Sequence, residues 1–223
     1  MSKLSLKNCS IMFHHFHSKT HVKSQGSITQ KKFEKIIKKI GLSNILSAKS
    51  FLKKKKKICL SFDDGLKCQY DVALPILNKY KIKAFWFIYT SALKPGINNI
   101  ELFRIFRNKK FNNFNSFYKS FTKYIDGSDY KFFLKKQKKK IEIVKKDHPF
   151  YNINEIKFRF LRDKYLKKED YFEIVKKLYI KHKFNYKKEM KNIFLKTSHL
   201  KKLSKSGHII GLHSHSHPTD IST

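Results

Sequence analysis

Two adjacent carboxylates, Asp63 and Asp64, are the first residues along this sequence with an evident chemical use. Residues 1–62 contain a single acid, Glu34, and the two aspartates then follow an apolar run and precede Gly65. In α/β sheets and barrels, ligands bind beyond the carboxyl ends of the strands. Adjacent carboxylates repel each other unless a cation or a proton lies between them. The pair therefore indicates a metal site, with a solvated Asp-Asp-Gly turn as the alternative interpretation.

Three histidines form a second cluster near the end of the sequence. His213, His215 and His217 fall within five residues, again after an apolar run. Imidazole is a common ligand for zinc and other first-row metals. In an extended segment all three rings would share one face, whereas in a turn His213 and His217 would converge. A histidine-rich segment without a function is the alternative.

The two clusters together supply the donors of a known kind of metal centre. One carboxylate and two imidazoles make a 2-His-1-carboxylate site with open positions, and the other carboxylate stays available as a base. The sequence therefore predicts the equipment of a metal-dependent hydrolase.

Alternating strands and helices are predicted around both clusters. Short apolar runs with β-branched and aromatic residues indicate buried strands, and apolar residues at helical spacing indicate the helices between them. This alternation predicts an α/β fold with a parallel sheet or barrel. In chain order, the predicted elements are strands Cys9–Phe13 and Ile58–Phe62, helix Gln69–Tyr80, strand Ile82–Ile88, helix His199–Ser206 and strand His208–Leu212.

Residues 94–197 have a different pattern and predict a helical insert rich in lysine and phenylalanine. The chain would then divide into residues 1–93, this insert, and residues 198–223. Asp147-His148-Pro149 predicts a turn that ends a helix, because the residue before a proline is disfavoured in a helix. The insert's apolar periodicity predicts helices over Ile100–Phe106, Tyr130–Val144, Lys168–Ile180 and Tyr186–Leu195.

Two motifs resemble those of the polysaccharide deacetylase superfamily, also called NodB-homology proteins or carbohydrate esterase family 4. Residues 60–65, LSFDDG, resemble that family's T-F-D-D-G motif, and residues 213–218, HSHSHP, resemble its H-[S/T]-x-x-H motif followed by proline. Residues 74–77 and 82–87 resemble the family's first helix and second strand, and residues 203–211 resemble its approach to the histidines. Phe13-His14-His15, in the first strand, resembles the start seen in many members. The two motifs occur in the family's order.

The resemblance implies a role for each candidate residue. Asp63 would be the general base, while Asp64, His213 and His217 would hold a divalent metal. We expect Zn²⁺, with Co²⁺ or another first-row metal as the alternative. The substrate would be an N-acetylated amino sugar in a surface polysaccharide or its precursor. Three further histidines, His14, His15 and His215, are substrate-binding candidates. His215 would support the site without binding the metal, and His14 and His15 would line its mouth or pack nearby.

The sequence also departs from the family pattern. The family fold is a distorted (β/α) barrel whose later strands carry an Arg motif, an Asp/Trp motif and a Leu-x-x-His motif that supplies the general acid. None of these follows Pro218. The expectation is an incomplete barrel, the N-terminal portion of a longer or split enzyme, with a second chain as a source of the other strands. The alternative is an inactive fragment that binds a glycan or a partner.

Net charge does not by itself define a partner. The formal net charge is +35, with 51 Lys and Arg against 16 Asp and Glu, yet only four of the cations are arginine. Because Arg reads bases and phosphates bidentately, the lysines favour a solvated surface over a specific nucleic-acid site. A basic binder of nucleic acid or of anionic membranes is the least favoured function, and peripheral membrane contact stays open. No transmembrane segment or export signal is predicted, and three cysteines without C-x-x-C spacing fit the reducing cytoplasm.

Overall fold

A computed structural model describes residues 9–53, 57–94, 96 and 100–215. The chain divides into two compact units, Met1–Gly96 together with Lys187–Thr223, and Ile97–Tyr186. We call them the sheet unit and the helical unit. The boundaries inferred from sequence, after residues 93 and 197, stay predictions.

Four parallel strands form the sheet unit, in the spatial order β1-β2-β3-β4. A mixed α/β fold with a parallel sheet is therefore confirmed. The strands are β1 (Cys9–Phe13), β2 (Ile58–Asp63), β3 (Phe85–Ile88) and β4 (Ile209–Leu212).

Strand β2 is buried along its whole length, as a strand covered on both faces of a parallel sheet must be. Its Phe62 ring stacks on Trp86 of β3 with 4.6 Å between the ring centroids, and Trp86 is fully buried. The Phe33 ring meets Phe62 edge-on at 6.0 Å. The aromatic core thus includes Phe62, the residue directly before Asp63.

Helices connect these strands and build the helical unit. A π-helical turn, Gln69–Ala73, precedes the third helix, and another, Leu161–Tyr165, follows the eighth. In chain order the helices are α1 (Gln30–Ile40), α2 (Ala48–Phe51), α3 (Leu74–Lys79), α4 (Ile100–Lys110), α5 (Phe114–Thr122), α6 (Asp129–Lys136), α7 (Lys138–Asp147), α8 (Ile153–Phe160), α9 (Lys168–Lys181), α10 (Tyr186–Met190) and α11 (Thr197–Lys205).

Aromatic rings make the core of the helical unit. Phe158 of α8 lies 5.1 Å from Phe117 and 5.0 Å from Phe121, both edge-on, and stacks against Phe103 at 5.8 Å. Edge-on and offset ring pairs gain energy beyond the area they bury. This unit is therefore held mainly by ring packing between α4, α5 and α8.

Several predicted elements have different bounds in the structure. Strand β3 begins at Phe85 and not at Ile82, because Lys81 has a positive φ of 54° and residues 82–84 form a connection. The helix predicted over Tyr130–Val144 is broken at Gln137, whose ψ of 4° lies between α6 and α7. The helix predicted over Tyr186–Leu195 ends at Met190.

Other elements agree with the sequence. Strand β1 has the predicted bounds, and α7 ends at Asp147, directly before the predicted turn. Gly207 follows α11 with a φ of 88°, the left-handed conformation that glycine supplies at helix ends. Among the described helices, none is long and apolar enough to cross a lipid bilayer.

Candidate active site at the carboxyl end of the parallel sheet

Three strands of the sheet unit end in residues that could do chemistry. Strand β1 is followed by His14, β2 ends at Asp63, and β4 is followed by His213. Phe13 pairs with Phe62 and Ile88 pairs with Leu212, so the strands end at nearly the same height in the sheet. Because all four strands are parallel, these residues lie at one edge of the sheet.

The side chains at this edge converge on the two carboxylates. His213 Nε2 lies 3.9 Å from Asp63 Oδ2 and 3.8 Å from Asp64 Oδ1. His14 Nε2 lies 3.8 Å from the other oxygen of Asp64, Oδ2. Since β3 lies between β2 and β4 in the sheet, His213 reaches across the end of β3. The structure therefore brings together four of the candidate residues: His14, Asp63, Asp64 and His213.

A sharp turn presents the two carboxylates. Asp64 has a φ of 73° and Gly65 a φ of 62°, two consecutive left-handed residues directly after β2. Aspartate tolerates this conformation better than most residues. A Cβ on Gly65 would lie 2.9 Å from Ile88 Cδ1, so the position requires glycine on steric grounds as well. Both aspartates are 6% exposed.

The Gln69 side chain fixes this turn by hydrogen bonds, a role that the sequence did not indicate. Its Nε2 donates to the carbonyl oxygens of His14 at 2.9 Å and Asp63 at 2.5 Å, and its Oε1 accepts from the Leu66 amide at 3.2 Å. The side chain is fully buried. The side-chain amide of Gln69 therefore joins the ends of β1 and β2 to the turn that follows β2. The only sign of this role in the sequence was a glutamine on the apolar side of a predicted helix.

The segment before α11 also fixes the turn. The Leu195 amide donates to the Gly65 carbonyl at 2.8 Å, and the Lys67 amide donates to the Ile193 carbonyl at 2.7 Å. Leu66 and Phe194 form the antiparallel bridge between these bonds. The carboxylate turn is thus fixed by backbone hydrogen bonds to this segment and by the Gln69 side chain.

Hydrogen bonds to the end of β3 separate His213 from His215. The His213 amide donates to the Ile88 carbonyl at 2.9 Å, and Ser214 has a φ of 69° that turns the backbone. His215 Nδ1 then lies 2.7 Å from Thr90 Oγ1, within hydrogen-bond distance. The structure therefore directs His213 toward the carboxylates and ties His215 to Thr90.

His14 and His15 are neighbours at the edge of the site. Their rings lie 6.0 Å apart in a stacked arrangement, and the His15 carbonyl accepts from the Ile28 amide at 3.1 Å. Of the two, His14 is the one whose imidazole nitrogen lies near a site carboxylate. His217 lies outside the described residues.

Residues 52–108 match the family model for polysaccharide deacetylases. The matched segment includes β2, both aspartates of the turn and β3. Over this part of its length, the chain is similar to polysaccharide deacetylases. A comparison with curated protein sequences gives no match.

Solved deacetylase structures overlap part of the chain. The Streptococcus pyogenes deacetylase PplD, solved in complex with acetate, is 26% identical, with a TM-score of 0.33 over 47% of this chain and 53% of PplD. A de-N-acetylase from Aggregatibacter actinomycetemcomitans is 22% identical, with a TM-score of 0.32 over 40% of each chain. The BpsB deacetylase domain of Bordetella bronchiseptica is 19% identical, with a TM-score of 0.30 over 43% of this chain and 42% of that domain. The chain spans about half the length of these deacetylases or less.

The donors at this edge of the sheet fit a divalent metal ion by their chemistry and spacing. Zinc binds carboxylate oxygen and imidazole nitrogen at about 2.0–2.2 Å, so two such ligands of one ion lie less than about 4.4 Å apart. Asp64 Oδ1 and His213 Nε2, at 3.8 Å, satisfy that limit. Among the described residues, no three His, Cys, Asp or Glu side chains are close enough together to hold one metal ion. The fit therefore rests on the Asp64–His213 pair.

The sheet unit contains another buried polar group besides Gln69. His208, directly before β4, accepts at Nδ1 from the Ala84 amide at 3.0 Å and from Trp86 Nε1 at 3.2 Å. Burial lowers the pKa of His208 to about 4, with the positive charge of Lys83 acting in the same direction. The neutral ring thus accepts from two donors and fixes Trp86, which stacks on Phe62 beside Asp63. Sequence reasoning read His208 only as the start of a strand.

Proposed function

We propose that this chain is a metal-dependent deacetylase that removes the acetyl group from an N-acetylated amino sugar in a surface polysaccharide or its precursor. One observation carries the proposal: two adjacent buried carboxylates and the His213 imidazole converge at the carboxyl edge of a parallel sheet. The match of residues 52–108 to the polysaccharide deacetylase family model supports it. A glycan-binding fragment without catalysis is the alternative outcome of the tests below.

Asp63 is the general base in this proposal. It ends a fully buried strand, and the buried hydrogen bond from Gln69 to its carbonyl holds its backbone. A carboxylate fixed in this way can take the proton of a water molecule as that water attacks the acetamide carbonyl carbon. The carbon–nitrogen bond then breaks, and acetate and the free amine leave.

Asp64, His213 and His217 hold the metal in this proposal, as Zn²⁺ or as Co²⁺ or another first-row ion. When bound, the metal polarises the acetamide carbonyl and lowers the pKa of water. Asp64 supplies a carboxylate that is already buried beside His213, so little rearrangement is needed to bring these two donors to one ion. Deacetylases of this family are generally metal-dependent, which supports the assignment.

His14 and His15 contact the substrate in this proposal, and His14 protonates the leaving amine. Imidazole is a frequent general acid in enzymes, and a protonated ring can donate its proton to the departing amine nitrogen. His14 Nε2 lies 3.8 Å from Asp64 and about a third of its side chain is exposed, so substrate can reach it. His215 supports the site through Thr90.

We further propose that the four parallel strands belong to a distorted (β/α) barrel. The position of His213 supports this, because the residue directly after β4 reaches Asp63 at the end of β2 across the intervening strand. Residues 94–197 are the helical insert in this proposal.

Acetate release from N-acetylglucosamine oligomers, with the full chain, tests the function. The chelator-treated protein should be inactive, and Zn²⁺ or Co²⁺ should restore release. The His213→Ala variant should lose both activity and high-affinity metal binding, because it removes an imidazole that faces both carboxylates.

His215→Ala is the matched control for that variant. It removes the same group two residues away, where the imidazole is bonded to Thr90, so it should bind metal normally and keep most of the activity. Folded protein that releases no acetate with any of the metals would refute the proposed function. Equal losses in the two variants would refute the proposed assignment of His213.

A further inference from the structure

The helical unit contains an open cavity of about 520 Å³ that the deacetylase chemistry does not use. Small-molecule sites in proteins usually measure about 300–1,000 Å³, so the cavity has the size of a ligand site. It lies between helices α5, α6, α7 and α8. Its lining residues are Tyr118, Tyr130, Lys131, Leu134, Lys135, Lys138, Ile141, Glu142, Ile153 and Lys157.

The body of the cavity is apolar. Leu134, Ile141 and Ile153 line it with branched aliphatic side chains, and Ile141 is buried while Ile153 is 41% exposed. An alkyl chain laid against these side chains would remove apolar surface from water on both partners. A sugar would instead bury hydroxyl groups that these residues cannot pair.

Positive charge surrounds this apolar body. Of the four lysines that line the cavity, Lys138 has an ion pair with Glu142, with 4.0 Å between Nζ and Oε1. Lys131, Lys135 and Lys157 form no ion pair with any described residue. The lining thus carries four cations and one carboxylate, which complements an anionic group.

Two tyrosines add hydrogen-bond donors. Burial raises the pKa of Tyr118 to about 12, and the nearby Tyr130 acts in the same direction. The Tyr118 phenol therefore keeps its proton at neutral pH and can donate to an anion. Lysine and phenol donors lie beside an aliphatic wall, so the cavity suits a ligand that has both an anionic group and an apolar part.

We propose that this cavity binds a single-chain anionic amphiphile, with the alkyl chain on Leu134, Ile141 and Ile153 and a phosphate or carboxylate head group on the lysines. Hydrogen bonds between ionised partners are the stronger ones, so the head group fixes the orientation. Aliphatic burial supplies the rest of the affinity. This site is separate from the proposed deacetylase chemistry and does not depend on it.

Calorimetric titration of the full chain with dodecyl phosphate, kept well below its micelle concentration, tests the proposal. One molecule should bind per chain. Inorganic phosphate tests the head group alone, and dodecyl maltoside tests the same chain with an uncharged head. Each should bind at least about tenfold more weakly, because each lacks one of the two interactions.

Charge variants separate the cavity from the general basic surface. The double variant Lys135→Gln/Lys157→Gln should weaken dodecyl phosphate binding by about tenfold or more. The matched control Lys139→Gln/Lys140→Gln removes two exposed charges of α7 that do not line the cavity. It should leave the affinity within about threefold, since exposed charges that make no contact with the ligand are weakened by solvent and salt.

Ile153→Asp tests the apolar wall without threatening the fold. Ile153 begins α8 and is partly exposed, and a carboxylate is tolerated at a helix N-terminus. Binding should fall at least tenfold, whereas Ile180→Asp on α9, away from the cavity, should leave it unchanged. Equal effects of the paired variants, several molecules bound per chain, or equal affinity for inorganic phosphate would each overturn the proposal.

Discussion

The two units of this chain use their side chains in opposite ways. In the sheet unit, strand ends gather a few scarce acids and histidines, and the site distances of 3.8–3.9 Å follow from where the strands stop. In the helical unit, buried phenylalanine rings contact one another and pack beside buried leucine, isoleucine and valine side chains. Changes at the sheet edge should therefore alter reaction rate more than stability, and changes in the ring core should do the reverse.

The largest expected effect is at Asp63, in the sheet unit. We expect Asp63→Asn to lower kcat by about 100- to 10,000-fold, the usual contribution of a general base. Metal affinity and the unfolding midpoint should change little, because Asn keeps the shape and Asp64 and His213 stay in place. Steady-state kinetics, calorimetric metal titration and urea unfolding measure the three quantities.

Asp71→Asn provides the control for that variant. Asp71 is also in the sheet unit but pairs with Lys67 and His21 and not with the site. It should keep the wild-type kcat. A comparable loss of kcat in both variants would mean that Asp63 acts through the fold and not as the base.

The next effect concerns the ring core of the helical unit. Phe158 is 2% exposed and contacts rings from α4 and α5. Phe158→Ala should lower the free energy of unfolding by about 3–5 kcal/mol, which urea unfolding measures. Phe150→Ala, at a residue that is 64% exposed, should change it by less than about 0.5 kcal/mol. A Phe158→Ala protein that is as stable as the control would contradict the contrast between the units.

The smallest effect is a pH dependence from His208. Its pKa is about 4 in the folded protein and about 6.5 when unfolded, so protonation favours the unfolded chain. The stabilisation is fully present above pH 6.5 and decreases as the pH falls, by about 3 kcal/mol at pH 4. His208→Asn, which keeps an acceptor near Nδ1 but does not titrate, should flatten that slope. Urea unfolding between pH 4 and 7 measures this dependence. If the free energy of unfolding changed equally with pH in the wild type and the variant, protonation of His208 would not be its cause.

Sequence reasoning succeeded where position along a strand decides position in space. Asp63 and His213 each end an apolar run, and parallel strands bring such ends to one edge, so the convergence could be anticipated. It could not assign Gln69 or His208, because their partners, His14 and Trp86, are distant in sequence. Helices α1, α5 and α8 were not predicted, although the buried Phe117 and Phe121 of α5 are four residues apart, at helical spacing.

Anomalous diffraction at the zinc edge, from crystals of the full chain grown with Zn²⁺, tests the central claim most directly. The account predicts a peak about 2.0–2.2 Å from one carboxylate oxygen of Asp64 and from Nε2 of His213, with Asp63 beside it and not bound to it. A peak elsewhere on the chain, or no peak at the carboxyl edge of the sheet, would contradict the account.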